Sequence, residues 1–340
     1  MRFALACLVF AAPAGAQWTY VSSGTTAELR GLSVVDERFV WASGARGTHL
    51  LSTDAGRTWK ADTVPEATTL DFRAVHGLTG SSALLASAGE AEKGLAKIFG
   101  TSDGGQTWRL AYSSDQRGVF LDAIAFWDDR HGIALSDPVD SAFFMLATAD
   151  GGRTWTRIPP ERLPRVLPGE AAFAASGSSI ALQPPGHVWI GTGGGGRSRV
   201  MHSADRGRTW TVTEVPVHAE GQAAGIFSIA FFDERIGVAA GGDYTKPRLA
   251  APSVALTSDG GRTWRRAAAP PSAYLSGVAY AGAADRLVAV GLAGTFVSRD
   301  GGDSWTQTDT VAMNSVRFRN RIGIAVGPRG RVARTDGIAP

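Results

Sequence analysis

Between residues 275 and 307 the chain carries four short runs rich in β-branched and apolar residues, at 275–280, 286–291, 294–299 and 305–307, with Gly, Asp or Ala turns between them. Runs of this length bounded by turn residues predict a four-stranded antiparallel meander. The same order returns at 227–232, 237–240, 254–258 and 264–266, and again at 313–318, 323–326 and 330–334. No stretch sustains the 3.6-residue period of an amphipathic helix. The pattern predicts an all-β chain made of one small sheet, repeated.

An eight-residue phrase, Ser/Thr-x-Asp-x-Gly-x-Thr/Ser-Trp, joins the third run of a unit to the fourth. Full copies occupy 52–59, 101–108, 148–155, 203–210, 257–264 and 298–305, and a broken copy, Arg334-Thr335-Asp336-Gly337, stands near the C-terminus. The aspartates (Asp54, Asp103, Asp150, Asp205, Asp259, Asp300 and Asp336) are 49, 47, 55, 54, 41 and 36 residues apart. A period in this range marks an array of similar supersecondary units. The phrase has a local mechanism. Asp accepts hydrogen bonds from amides just downstream, Gly supplies a positive φ, and Trp buries a large ring between neighbouring sheets. The seven aspartates therefore read as structural. One carboxylate per copy is too few for a calcium loop, which needs several, so no metal and no cofactor is expected.

The strand missing after the broken copy stands at the other end of the chain. Gln17-Trp18-Thr19-Tyr20-Val21 is a Trp-led strand with no Asp phrase before it. Joining the two ends completes a seventh unit, and Trp18, Trp59, Trp108, Trp155, Trp210, Trp264 and Trp305 then share one position. An open array would leave two frayed caps, whereas a ring lets its ends share a unit. The expected fold is a seven-bladed β-propeller of four-stranded blades over residues 17–340, its last blade closed by the N-terminal strand.

Length alone would suggest two domains, but the repeat overrides that prior. A net charge of +3 without a basic cluster argues against a nucleic-acid partner. Residues 1–16 read differently from the rest. Arg2, an apolar stretch at 3–12 and Ala14-Gly15-Ala16 form a signal peptide pattern with cleavage before Gln17. The stretch is too short to cross a bilayer, which takes about 20 residues. The mature chain is thus expected to be secreted or periplasmic, monomeric and without a transmembrane segment. Cys7, the one cysteine, lies in this leader, which leaves the mature chain no disulfide and no thiolate chemistry.

The phrase is similar to the Asp box of bacterial-neuraminidase-repeat (BNR) propellers. The unit layout most resembles the photosystem II stability and assembly factor family, in strands such as Phe126-Trp127-Asp128-Asp129-Arg130-His131-Gly132-Ile133-Ala134 and Phe231-Phe232-Asp233-Glu234-Arg235-Ile236-Gly237-Val238-Ala239. The resemblance covers 17–340. It implies a non-catalytic binding or assembly propeller whose Asp turns lie on one face, with the partner on the opposite face. That partner would be an envelope or membrane-associated protein, or a glycan. A more distant likeness to sialidase-like propellers implies a second reading, glycoside hydrolysis at the same face.

Aligning the units on their innermost runs brings Arg30, Arg73, Asp122, Phe227, Ser276 and Asn314 to one position, with Glu170 at or next to it in unit four. The loops between second and third strands add Arg46, Asp137, Arg197, Asp243, Tyr244, Lys246 and Arg329 on the same side. These charged residues are the ligand-binding candidates. For a hydrolase, Arg30, Arg73 and Arg197 would clamp a carboxylate, Tyr244 supported by Glu170 would be the nucleophile and Asp122 the acid. Alternatively, Asp122 would pair with Glu170 or Asp137 in acid–base work. The Phe/Tyr-Arg-Ile-Pro signature of sialidases is absent, and Phe72-Arg73-Ala74-Val75 is its nearest analogue. Gly191-Thr192-Gly193-Gly194-Gly195-Gly196 matches a dinucleotide fingerprint but leads into a strand rather than a helix, so no such site is expected. Two insertions, at 159–169 and 241–253, are expected to be loops, the parts of a rigid scaffold that most often bind.

Overall fold

The computed structural model describes residues 18–337, and the expected signal peptide and its cleavage point lie outside the described residues. The chain forms seven four-stranded antiparallel sheets. Their inner strands are Leu29–Val34, Asp71–Gly77, Leu121–Phe126, Ile180–Gln183, Ala224–Phe231, Gly277–Tyr280 and Ser315–Arg319, here the inner strands of blades 1 to 7. Each blade then runs outward, so the expected seven-bladed propeller is what forms. Blade 7 takes its outer strand from the other end of the chain. Thr19–Val21 pairs antiparallel with Val332–Thr335, Thr19 opposite Arg334 and Val21 opposite Val332.

Aliphatic residues from neighbouring blades meet in seven cores, and each core receives one of the seven equivalent tryptophans. Trp18 shows how the closure is secured. It packs with Val290 and Val297 of blade 6 and Ala333 of blade 7, and its indole N–H donates to Thr295 Oγ1 at 3.2 Å. Tyr20 adds a 2.6 Å bond from its hydroxyl to Asp309 on the outer strand of blade 6. Burying an indole stabilises by several times the worth of one net hydrogen bond, so the ring contributes more than the polar ties.

The Asp turns carry the expected local bonds. Ser52 Oγ donates to Asp54 Oδ1 at 2.9 Å and accepts from the Gly56 amide at 2.8 Å. Asp54 then accepts the Thr58 amide (2.8 Å) and the Thr58 hydroxyl (2.7 Å). Gly56 is left-handed, with φ of 79°, where a side chain would be strained. The pattern recurs at Asp103, Asp150, Asp205, Asp259 and Asp300.

The seventh copy differs by one residue. Thr335 stands opposite Gly323 as Ser52 stands opposite Val40, and the Gly337 amide bonds to Thr335 Oγ1 as the Asp54 amide does to Ser52 Oγ. Gly337 therefore holds the aspartate position, and Asp336, expected there, stands one residue ahead of it. Its carboxylate pairs instead with Arg334, whose Nε donates to the Ala55 carbonyl of blade 1 at 2.8 Å. The seam between blades 7 and 1 is tied by this arginine rather than by a seventh Asp turn.

Strand direction fixes the two faces. Turns between inner and second strands, and the Asp turns, lie on one face. The segments entering each inner strand and the loops between second and third strands lie on the other, the mouth face.

Candidate ligand face

Four inner strands carry a β-bulge at the same place. The pairing skips Arg30, Arg73, Asp122 and Phe227, each left unpaired between two ladder positions. A bulge re-aims the side chain of its extra residue, and here it turns four different side chains toward the channel mouth. Ser276 and Asn314 hold the position in blades 6 and 7, their amides bonding to the carbonyls of Val290 and Val326.

Blade 4 departs from expectation. Gly191 pairs with Val200 on one side and bonds to the Ser179 carbonyl on the other, which makes Ser178, not Glu170, the residue at the bulge position. The eight extra residues do not extend the surface insertion. Instead, segment 173–178 crosses the channel. Arg30 Nη1 donates to the Ala175 carbonyl (3.1 Å), Ser176 Oγ to the Ser276 carbonyl (2.7 Å) and Ser178 Oγ to Ser228 Oγ (2.8 Å). A Cβ on Gly177, which has φ of 62°, would lie 3.1 Å from Cβ of Ala74. Phe173 stacks on Phe227 with centroids 4.0 Å apart, and Tyr274 meets Phe227 edge-on. Blades 1, 2, 5 and 6 thus hold one plug just inside the mouth. Its composition is the signal that sequence reading passed over, a run of small uncharged residues around one Phe from 171 to 179.

Most of the expected ligand-binding charges are paired. Arg30 bonds to Glu28 at 2.5 Å and Arg73 to Asp71 at 2.7 Å. Arg197 pairs with Glu214 on the surface. Lys246 lies 3.5 Å from Asp243, whose Oδ1 also accepts the amide and hydroxyl of Thr245. Glu170 is buried beneath Arg199, which grips both its oxygens, and it also accepts the Thr192 hydroxyl (2.6 Å) and the Leu167 amide (2.8 Å). Tyr244 is exposed and meets Phe227 edge-on, with no contact to Glu170. Arg46 and Arg329 are exposed, and no carboxylate pairs with either among the described residues.

Asp122 and Asp137 do come together. Burial pushes the Asp122 carboxyl well above the usual carboxylate range, the charge of Asp137 adds to this, and Arg73 opposes it. Its Oδ2 has no hydrogen-bond partner among the described residues. Burial likewise pushes Asp137 up to about 6, against the amide of Ala172, which donates to its Oδ1 at 3.1 Å. The pair lies at the edge of the plug, and Asp122 is only 1% exposed.

No family model matches this chain, and no curated protein matches it by sequence. Solved structures do match in fold. "YCF48 bound to D1 peptide" superposes with a TM-score of 0.66 at 18% identity, covering 94% of this chain and 96% of that one. "YCF48 from Cyanidioschyzon merolae" gives 0.63 at 17%, covering 94% and 98%. "Structure of U3-55K" gives 0.64 at 14%, covering 95% and 99%. At these identities the shared property is the propeller. No described helix is long and apolar enough to cross a membrane.

Proposed function

We propose that this chain is a non-catalytic binding or assembly propeller that holds an acidic segment of a protein partner on its mouth face, across the seam of blades 7 and 1. One observation carries the reading. The turns Gly44-Ala45-Arg46-Gly47 and Gly327-Pro328-Arg329-Gly330 occupy equivalent loops of these adjacent blades, and both arginines sit at φ of 60°. Holding a non-glycine residue in this left-handed region costs roughly 1 kcal/mol, and such strain gathers at binding sites. Here it sets the direction in which two exposed arginines leave the backbone, beside a cavity of about 750 Å³ lined by segments 20–26 and 329–332. Arg46 also donates to Thr26, which lines that cavity. Planar guanidiniums suit carboxylates. The structural likeness to YCF48 bound to a D1 peptide supports a protein partner. The leader pattern adds that the partner is met in the envelope after secretion.

The test is capture from envelope extracts by tagged mature protein. Arg46→Glu with Arg329→Glu should lower recovery of specific partners about tenfold, a loss of about 1.4 kcal/mol. Undiminished recovery would remove the seam from the reading. The second reading, glycoside hydrolysis, draws on Asp137, since a carboxyl raised toward neutrality suits a general acid. Turnover of chromogenic glycosides that disappears in Asp137→Asn would put hydrolysis ahead of binding.

A further inference from the structure

Three residues past the bulge, each inner strand presents one side chain at the level where the channel approaches the Asp-turn face. Strand register makes these equivalent residues Ser33, His76, Ala125, Ala181, Ala230, Ala279 and Arg317. Five of the seven are Ala or Ser, and small side chains leave room. The room is a cavity of about 510 Å³, lined by Ile180, Ala181, Ile229, Ala230, Val278 and Ala279 from blades 4 to 6, with Phe232 and Tyr280 at its rim. Arg317 and Arg319 also line it, and none of the lining residues is acidic. The plug at 173–178 closes the channel above, near the mouth.

Arg317 is the anomaly. Among the described residues its one hydrogen bond runs from Nη1 to the carbonyl of its neighbour Val316 (3.1 Å), and no carboxylate pairs with it. Its exposure is intermediate because the cavity reaches it. Protein otherwise surrounds it deeply enough that desolvation pushes its pKa down to about 10. His76 of blade 2 is driven down to about 4 by burial and by the Arg317 charge, so at neutral pH it is uncharged and adds no second positive charge. The arginines of the mouth face and the seam described above each have a carboxylate or open solvent at the head. A largely desolvated guanidinium in a chamber without an acidic lining residue is unfavourable for the empty protein, and its fork is matched by a carboxylate.

We propose that the Asp-turn end of the channel is a binding site for a small organic anion, a carboxylate on an apolar body, anchored by Arg317 and laid against the alanines of blades 4 to 6. The volume is that of an ordinary small-molecule site. The site is independent of the mouth face, from which the plug separates it.

Calorimetric titration with octanoate and phenylacetate, and with octanamide and phenylacetamide as neutral counterparts, tests this. The carboxylates should bind at one site about tenfold tighter than their amides. That preference should vanish in Arg317→Met and survive in part in Arg317→Lys. Without any probe, Arg317→Met should melt higher than the parent, because an unpaired charge gives way to an apolar chain of similar length. A carboxylate preference undiminished in Arg317→Met overturns the proposal, as does the absence of binding by all four probes at millimolar concentration. A lower melting temperature in both variants would make the guanidinium a structural group and overturn it as well.

Discussion

On the Asp-turn face the carboxyls of Asp54, Asp103, Asp150, Asp205 and Asp259 are held down to about 2, whereas at the mouth Asp137 is pushed up to about 6 and Asp122 is driven the same way. The residue type is the same, and the donors around it differ. For Asp54 burial is the largest single effect, but the hydroxyl and amide of Thr58, the hydroxyl of Ser52 and the amide of Arg57 together outweigh it. Asp137 has a dominant burial penalty and one amide, that of Ala172. Asp122 Oδ2 has no donor among the described residues. Hydrogen bonds to the charged form lower a carboxyl pKa, and desolvation raises it. An aspartate surrounded by donors fastens a turn, and one without them tends to hold a proton.

The largest consequence lies in acid. A lowered carboxyl pKa contributes stability that is complete above the unfolded value near 4 and is lost as pH falls through the folded value near 2. Five turns share that window. The melting temperature should therefore drop by roughly 10 °C or more between pH 4 and pH 2. Carboxyl NMR signals of the turn aspartates should titrate near the lower end of that range. Titration of these carboxyls near 4, with a flat melting curve, would break the contrast between the faces.

A single fastener is the next step down. Asp54→Ala removes two bonds to Thr58, one to Ser52 and one to Arg57. The expected loss is ~1–3 kcal/mol, read from the urea midpoint at constant m value. Asp336→Ala should cost less, because Arg334 keeps the Ala55 carbonyl and Asp336 itself faces solvent. Equal losses would mean that the displaced seventh copy fastens its blade as the others do.

These differences mark where the sequence was legible. Blade number, closure by residues 19–21 and the bulge position in six of seven blades all follow from one repeated spacing, and repetition makes an alignment self-checking. The failures lie where a unit departs from its siblings. Glu170 fitted the count of residues, but the chain spends 173–178 inside the channel, and the run of small uncharged residues around Phe173 was the only local hint of it. Asp336 fitted the spacing of the phrase, and only strand pairing shows it one residue early. Arg334 in place of Ser or Thr was the available clue. The ion pair of Glu170 with Arg199 joins residues 29 apart, and the charge of Arg317 in blade 7 reaches His76 in blade 2. Such pairings arise from closure and have no linear signature.

The smallest effect tests the mouth from the other side. Asp137, raised to about 6, has a folded pKa above its unfolded value, so the folded state takes up a proton first as pH falls from 6 toward 4. Stability from this group is present below the unfolded pKa and lost as pH rises through 6, opposite in sign to the Asp turns. Asp137→Asn keeps an oxygen to accept the Ala172 amide and removes the buried charge. The melting temperature at pH 7 should rise by roughly 2 °C or more, and the decline between pH 4 and pH 6 should flatten, while the steep loss below pH 4 stays as in the parent. Asp122 should remain raised in this variant, because burial is its leading cause and the charge of Asp137 the lesser one. If Asp137→Asn instead lowers stability at pH 7 and leaves the slope intact, then the carboxylate is held charged at the mouth, by Arg73 or by another donor. The two faces would then use aspartate in the same way.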